Sequence, residues 1–565
     1  MKDNKKFARK KGQWRGRQVD SEALKEVRAL LGDESRQRDL LLEHLHKVQD
    51  KFGFISAAHL VALAEEMNLA HAEIFEVASF YHHFDIITEG QQAPPPLTIR
   101  ICESLSCEMH GAQELIAGLQ NEIVRQNNLQ KVRIQRVPCV GRCAHAPIAV
   151  VGCNPIENAM SESISLAIRK QETQAALPDG YCDYQLYLKQ QGYQLLTDCM
   201  TGKIDVESIL EKLENSNLRG LGGAGFPAGR KWRILRNQLK PRIVAINIDE
   251  GEPGTMKDRF YLERDPHRFL EGSLIAAWAI EAEAVYIYLR DEYAGCRQML
   301  EKELKKLRAN PPCSLPDIYL RRGAGAYVCG EESAMIESLE GKRGMPRLRP
   351  PYLAEVGLFG RPTLEQNMET MHWVRDIVEK GPEWFIDKGR HGRKGLRSFS
   401  VSGRVKTPGV HLAPAGITLN ELINEYCDGM QQGHHLYGYF PGGASGGILP
   451  ASLADIPLDF DTLQEYGCFI GSAAIVVMSQ YDSARKLALN AMRFFADESC
   501  GQCTPCRSGT AKAVQLMQAE HWDTELLQEL SEVMVDASIC GLGQAAPNPL
   551  LCALKYFPQE FGQEV

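Results

Sequence analysis

The chain has 565 residues and carries 64 Lys and Arg against 72 Asp and Glu, a formal net charge of -8. That length exceeds what one hydrophobic core supports and predicts three or four domains, and the acidic balance argues against a nucleic-acid binder. The start lacks an apolar signal segment, and the most apolar stretch, GSLIAAWAIEAEAVYIYL, is interrupted by Glu281 and Glu283. A soluble, cytoplasmic protein is expected, with a buried helix followed by a strand at that point.

Residues 1–33 open with a cluster of charge, Lys2, Lys5, Lys6, Arg9, Lys10, Lys11, Arg15 and Arg17, and read as a disordered basic tail that docks on a partner. In 34–90, Leu41, Leu45, Val48 and Phe52 recur at helical spacing. Leu60, Leu63 and Met67 do so after a potential N-cap at Ser56, and Ile74, Val77 and Tyr81 make a third helix. A proline run at 94–96 ends that block. Over 91–170, LTIRIC is a strand running into Cys102, a helix fits 111–126, KVRIQRVPC runs into Cys139, and PIAVVG is a further strand. QETQAALPDG belongs to a linker over 171–183, and a new α/β domain spans 184–395.

Seventeen cysteines need a reason in a reducing compartment. Eight fall into two groups with ligand spacing. Cys102 and Cys107 with Cys139 and Cys143 give C-x4-C and C-x3-C at the ends of strands. Cys500, Cys503 and Cys506 give C-x2-C-x2-C, completed at a distance by Cys540. Four thiolates suit zinc or an iron–sulfur cluster; the tight C-x2-C-x2-C run points to a 4Fe-4S cube, and the first group leaves structural zinc open. Cys153, Cys182, Cys199, Cys296, Cys313, Cys329, Cys427, Cys468 and Cys552 read as small core residues.

The α/β domain carries RGLGGAGFPAGRKW, Arg219 to Trp232. Its G-x-G-x-x-G spacing follows a polar, helix-like segment rather than a buried strand, so it is not a Rossmann fingerprint. Its neighbours give it a purpose. PRIVAINIDEGEPG is a strand ending in Asn247, Asp249, Glu250 and Glu252, and RRGAGAYVCGEES is a second glycine loop ending in Glu331 and Glu332. Two glycine loops beside two acidic strand ends describe a pocket for phosphates and for ribityl or ribose hydroxyls, with Phe226 placed to stack and Lys231 to meet a negative charge.

These segments, together with LEGKRGMPRLRPP and ESCGQCTPCRSGT, resemble the FMN- and NADH-binding subunit of respiratory complex I and its soluble relatives. Residues 20–170 resemble the thioredoxin-like 2Fe-2S subunit that accompanies it, here on the same chain. The fusion, the ending soon after Cys540, and segments such as RQRDLLLEHLHKVQDKFG are most similar to the beta subunits of NAD-dependent, molybdenum- or tungsten-containing formate dehydrogenases. The resemblance implies a multidomain α/β and α+β architecture. Its parts are an N-terminal helical bundle, a thioredoxin-like 2Fe-2S domain, an FMN/NADH-binding domain, a β-grasp domain over 396–480, and a C-terminal helical bundle over 481–565 holding a 4Fe-4S cluster. Leu487, Ala491 and Phe494, and Leu526, Leu530 and Val533, supply a helical period for the last of these.

Carried over by position, the resemblance implies FMN contacts at Gly220, Gly222, Gly223, Lys231, Asn247, Asp249, Glu250, Tyr327, Gly330, Glu331, Asn367 and Thr370. NADH contacts fall on Phe226, Glu252, Glu332, Arg349 and Tyr352, with Lys231, Glu252 and Glu332 nearest the chemistry. Gln366 stands where the family has Asn, and Arg349 and Tyr352 replace a lysine and a phenylalanine. A nicotinamide transfers a hydride while an iron–sulfur centre transfers one electron, so a flavin belongs between them. No segment suits oxidation of formate or hydrogen, which implies a large alpha subunit with a Mo- or W-bis-pterin cofactor and further clusters as partner, and neither nucleic acid nor membrane. The other readings are the equivalent subunit of an NAD-reducing hydrogenase or of complex I, and a zinc-stabilised scaffold without activity.

Overall fold

The computed structural model describes residues 17–125 and 131–562; the tail residues Lys2 to Arg15 lie outside them. The chain divides into two units, the first comprising residues up to Ser79 with Phe84–Pro94, the second Phe80–His83 with everything from Pro95 onward.

In the first unit, helices span Ser21–Leu31, Leu41–Phe52, Ala57–Met67 and His71–Phe80, and β1 (Ile55–Ser56) pairs in parallel with β2 (Ile86–Ile87). Ser56 caps its helix as expected, accepting from His59 N at 3.1 Å. The first helix corrects the reading of 1–33 as an unfolded tail. Asp20 caps it through Glu22 and Ala23 N–H groups, and Ala23, Val27 and Leu31 bury one face at a four-residue spacing.

The second unit begins with a four-stranded sheet of order β4-β3-β5-β6, built from β3 (Leu97–Cys102), β4 (Val132–Val137), β5 (Ala149–Val151) and β6 (Asn154–Ile156). β3 and β4 are parallel and end together at Cys102 and Val137, so both cysteine pairs emerge at one edge. The next sheet is parallel throughout, in the order β10-β7-β8-β9, from β7 (Arg242–Ile248), β8 (Ala282–Leu289), β9 (Asp317–Arg322) and β10 (Thr363–Asn367). All seven residues of β7 are buried, as helices on both faces of a parallel sheet require. The apolar stretch before β8 is the helix Pro266–Ala279, broken from the strand at Glu281, where φ is +53°. A mixed five-stranded sheet follows over the segment read as β-grasp, in the order β12-β11-β15-β13-β14, from β11 (Leu396–Gly403), β12 (Gly409–Pro414), β13 (Leu436–Phe440), β14 (Leu449–Pro450) and β15 (Ala474–Ser479).

Helices Ala484–Asp497, Thr504–Met517, Thr524–Ala537 and Asn548–Tyr556 complete the chain. The first buries Leu487, Ala491 and Phe494 as expected. The third buries Leu527, Ser531 and Met534 instead of the Leu526, Leu530 and Val533 face, and Val533 is exposed. Gly509 on the facing helix explains the rotation, because a Cβ there would lie 2.6 Å from Met534 Cγ; the missing side chain makes the groove that Met534 fills. Among the described residues, no helix is long and apolar enough to cross a membrane.

Candidate functional site

The residues expected to line the pocket gather where the parallel sheet ends, the usual ligand position in open α/β sheets. Register pairs Asn247 with Asn367 and Ala245 with Glu365. Since side chains alternate along a strand, Asn247, Glu365 and Asn367 leave one side and Gln366 leaves the other. Asn247 Nδ2 donates to Gly330 O at 2.9 Å and to Glu365 Oε1 at 3.1 Å, which joins β7, β10 and the second glycine loop. Asn367 Nδ2 donates to Asp258 Oδ2 at 2.7 Å, and its Oδ1 caps the helix Met368–Lys380 through Glu369 N at 3.0 Å. Thr370 Oγ1 accepts from Leu221 N at 2.9 Å and pins the first glycine loop to that helix.

The glycines of that loop serve different ends. A Cβ on Gly222 would lie 3.0 Å from Asn367, one on Gly225 2.8 Å from the Phe460 ring, and one on Gly229 2.6 Å from Glu214 N in the helix Val206–Asn215. These three allow protein to approach protein. Cβ atoms on Gly223 and Gly220 would make only ordinary contacts, 3.6 Å from Gly471 C and 3.7 Å from Phe226 O.

Lys231 Nζ lies 3.1 Å from Glu365 Oε2 and 3.4 Å from Glu332 Oε2. Burial opposes its charge, but the two carboxylates outweigh that and raise its pKa. Glu332 also meets Arg349 at 3.1 Å, and Arg349 bonds Glu331, whose other oxygen caps the helix Glu332–Leu339 at Ser333 N and Ala334 N, 3.0 Å each. Glu252 Oε1 accepts from Ser445 N at 2.8 Å and Ser445 Oγ at 3.0 Å, and its Oε2 accepts from Tyr327. Burial raises Glu252 and pushes Glu250 to about 7. Asp249 is driven well above the usual carboxylate range by burial, and its Oδ2 is buried with no hydrogen-bond partner. Phe226 and Tyr352 form no part of this carboxylate network and are 41% and 56% exposed.

An orphaned carboxylate and an anchored lysine beside the strand ends fit a group bearing hydroxyls and phosphate. Sequence reasoning missed Glu365 and Ser445. The first is legible only once β10 is paired with β7, and the second comes from PGGASGG, almost two hundred residues beyond Glu252.

The cysteines converge in the two predicted sets. Cys139 and Cys143 Sγ are 3.2 Å apart, and Cys107 and Cys139 press on Cys102 and raise its thiol pKa. All four are buried. Cys500, Cys503, Cys506 and Cys540 line one cavity together with Val328 and Pro346, so the second glycine loop forms part of its wall. Burial pushes Cys506 to about 11 and Cys540 to about 12. Three lone cysteines depart from the core reading, Cys153 by exposure and Cys182 and Cys313 by being only partly buried. Cys468 and Cys552 lie 3.5 Å apart as a buried pair.

Residues 213–376 match the Nuo51 FMN-binding domain, 27–172 the thioredoxin-like [2Fe-2S] ferredoxin family, and 486–564 the NADH-ubiquinone oxidoreductase-F iron-sulfur binding region. Fold and matches together define an iron–sulfur flavoprotein with an FMN/NADH-binding domain and regions for a 2Fe-2S and a 4Fe-4S cluster, so the zinc-scaffold reading loses its basis. The mitochondrial NADH-ubiquinone oxidoreductase 51 kDa subunit of Neurospora crassa is 40% identical over 373 residues, 62% of this chain and 76% of that protein. The mitochondrial NADH dehydrogenase [ubiquinone] flavoprotein 1 of Dictyostelium discoideum is 38% identical over 376 residues, 63% and 78% respectively. The air-oxidized structure of an NAD+-reducing [NiFe]-hydrogenase superposes with a TM-score of 0.82 and 31% identity, covering 94% of each chain. The chain belongs to the family of the 51 kDa flavoprotein subunits of NADH-ubiquinone oxidoreductase.

Proposed function

We propose that the chain is the diaphorase subunit of a formate dehydrogenase, passing electrons between NAD(H) and iron–sulfur centres by way of FMN, with formate oxidised on a molybdenum- or tungsten-pterin partner. The observation that carries the electron-transfer reading is the second glycine loop. Tyr327 and Gly330 in it bond to Glu252 and Asn247 of the pocket, and Val328 between them lines the cavity of Cys500, Cys503, Cys506 and Cys540.

FMN held here would supply two-electron exchange with a nicotinamide and one-electron exchange with the iron–sulfur centres. The chain's own residues hold and select. Lys231, kept protonated by Glu365 and Glu332, offers a fixed positive charge to the flavin side of the pocket. Asp249, with its free oxygen, accepts or donates to a ribityl hydroxyl according to its protonation. Gly220, Gly222, Asn247, Asn367 and Thr370 shape the cradle, and Phe226 and Tyr352 offer rings at its exposed rim. Glu252 and Glu332 present negative charge to the nucleotide ribose, which disfavours a 2′-phosphate and selects NAD over NADP. Cys102, Cys107, Cys139 and Cys143 are assigned to the 2Fe-2S cluster, and Cys500, Cys503, Cys506 and Cys540 to the 4Fe-4S cluster.

The formate assignment rests on the sequence resemblance. A hydrogenase assignment draws support from the NAD+-reducing [NiFe]-hydrogenase structure, whose match spans the fused N-terminal region as well. The purified chain is expected to reduce artificial acceptors with NADH but to reduce no NAD with formate until the pterin subunit is added. The native assembly, assayed with each donor, separates the readings: NAD reduction by hydrogen with none by formate makes this a hydrogenase subunit.

A further inference from the structure

The loop after β7 that carries Asp249, Glu250 and Glu252 also reaches the thioredoxin-like domain. Met256 shares a small apolar cluster with Cys139 and Cys143. From the same side, two buried guanidiniums reach the backbone of the cysteine loop. Arg290 Nη2 donates to Cys139 O at 2.7 Å, and Arg259 Nε donates to Gly141 O at 2.9 Å. The other arm of Arg290 donates to Glu250 O, and its Nε donates to Glu292 at 3.0 Å. Tyr293 Oη donates to Glu250 Oε2 at 2.7 Å and lies so close to Gly141, where φ is +72°, that a Cβ there would sit 2.2 Å from it. Arg290 is 4% exposed.

We infer that Arg290 and Arg259 are positioning residues of the 2Fe-2S centre: they clamp the Cys139–Cys143 loop onto the loop bearing Glu250, and the charge of Arg290 raises the centre's reduction potential. The inference rests on the assignment of Cys102, Cys107, Cys139 and Cys143 to that cluster. Its physical basis is direct. Reduction adds an electron to the centre, and a buried guanidinium whose arm touches a ligand's own carbonyl stabilises the added charge more than one in water would, less the share offset by the Glu292 carboxylate paired with it at 3.0 Å. A clamp made of two guanidiniums on two nearby carbonyls also fixes the loop's distance from the pocket, which a single contact would leave free to pivot.

The test is redox titration of the full chain followed by electron paramagnetic resonance, with Arg290→Gln and Arg290→Lys compared with the unmodified protein. Arg290→Gln is expected to lower the 2Fe-2S midpoint while the 4Fe-4S midpoint stays in place. Arg290→Lys, which keeps the charge but cannot reach both carbonyls, is expected to hold the midpoint and alter the line shape; it serves if the glutamine variant does not accumulate. A loaded Arg290→Gln protein with an unmoved midpoint, or an Arg290→Lys protein with an unaltered spectrum, overturns the inference alone. Absence of any 2Fe-2S signal from the unmodified chain overturns the cysteine assignment and the inference with it.

Discussion

Lys231 Nζ is 3.1 Å from Glu365 Oε2, a carboxylate that reaches the pocket from the neighbouring strand end. Replacing the lysine takes from Glu365 its cation and leaves Glu332 with Arg349 alone. Lys231→Ala is expected to slow NADH oxidation and to destabilise the chain by about 1–3 kcal/mol, the penalty for unpartnered buried groups. Iron content and cluster spectra remain unchanged in this expectation, since the partners of Lys231 are the carboxylates of Glu332 and Glu365. Loss of iron with NADH oxidation intact would contradict the placement of Lys231 in the nucleotide pocket.

Glu332 holds Arg349 at 3.1 Å, and Glu331 holds the same guanidinium. Glu332→Gln removes negative charge from the ribose side and loosens a cation suited to phosphate. The ratio of kcat/KM for NADPH over NADH is expected to rise about tenfold or more, because like-charge opposition costs several kcal/mol where water is excluded. An unchanged ratio would remove Glu332 from the specificity argument.

Cys540 closes a cavity to which Cys500, Cys503 and Cys506 contribute from one short loop. With one of four thiols gone, Cys540→Ala is expected to weaken cluster retention at least about 10-fold, in line with changes around other metal sites. The 4Fe-4S signal then falls, and NADH-to-dye transfer persists where the dye draws electrons at the flavin. A full 4Fe-4S signal in the variant would assign the fourth ligand elsewhere.

His372 is buried against the ring of Tyr261, with centroids 4.1 Å apart, and burial lowers its pKa to about 3 from 6.5. The unfolded chain binds a proton there more readily than the folded one. Its contribution to stability is therefore complete above pH 6.5 and is lost as pH falls from there toward 3. His372→Phe is expected to flatten the pH dependence of thermal unfolding in that window; superimposable profiles of the two proteins would rule this histidine out as the source.

What the sequence made legible was local. The helix-to-strand break at Glu281, the Ser56 cap and the two cysteine sets follow from spacing within short windows. The pairings that build the pocket were not legible in the same way. Glu365 joins Lys231 only through the register of β10 on β7, and Arg290 reaches Cys139 across 151 positions. The helix Ser21–Leu31 was hidden by the basic residues ahead of it, although Asp20 and the spacing of Ala23, Val27 and Leu31 carried its signal. The rotation of Thr524–Ala537 depends on a glycine in another helix, which no period within the segment reveals.

The turn Tyr327–Gly330 separates the pocket from the cysteine cavity by the thickness of a single peptide segment, with Val328 as the only side chain of that turn on the far side. With a flavin held in the pocket and a cluster held by the four cysteines, an electron passing between them would cross that turn. On this reading the step is governed by separation and driving force, not by motion. Thickening the solvent with glycerol is therefore expected to slow nucleotide exchange while leaving the flavin-to-cluster rate in rapid-mixing traces where it was.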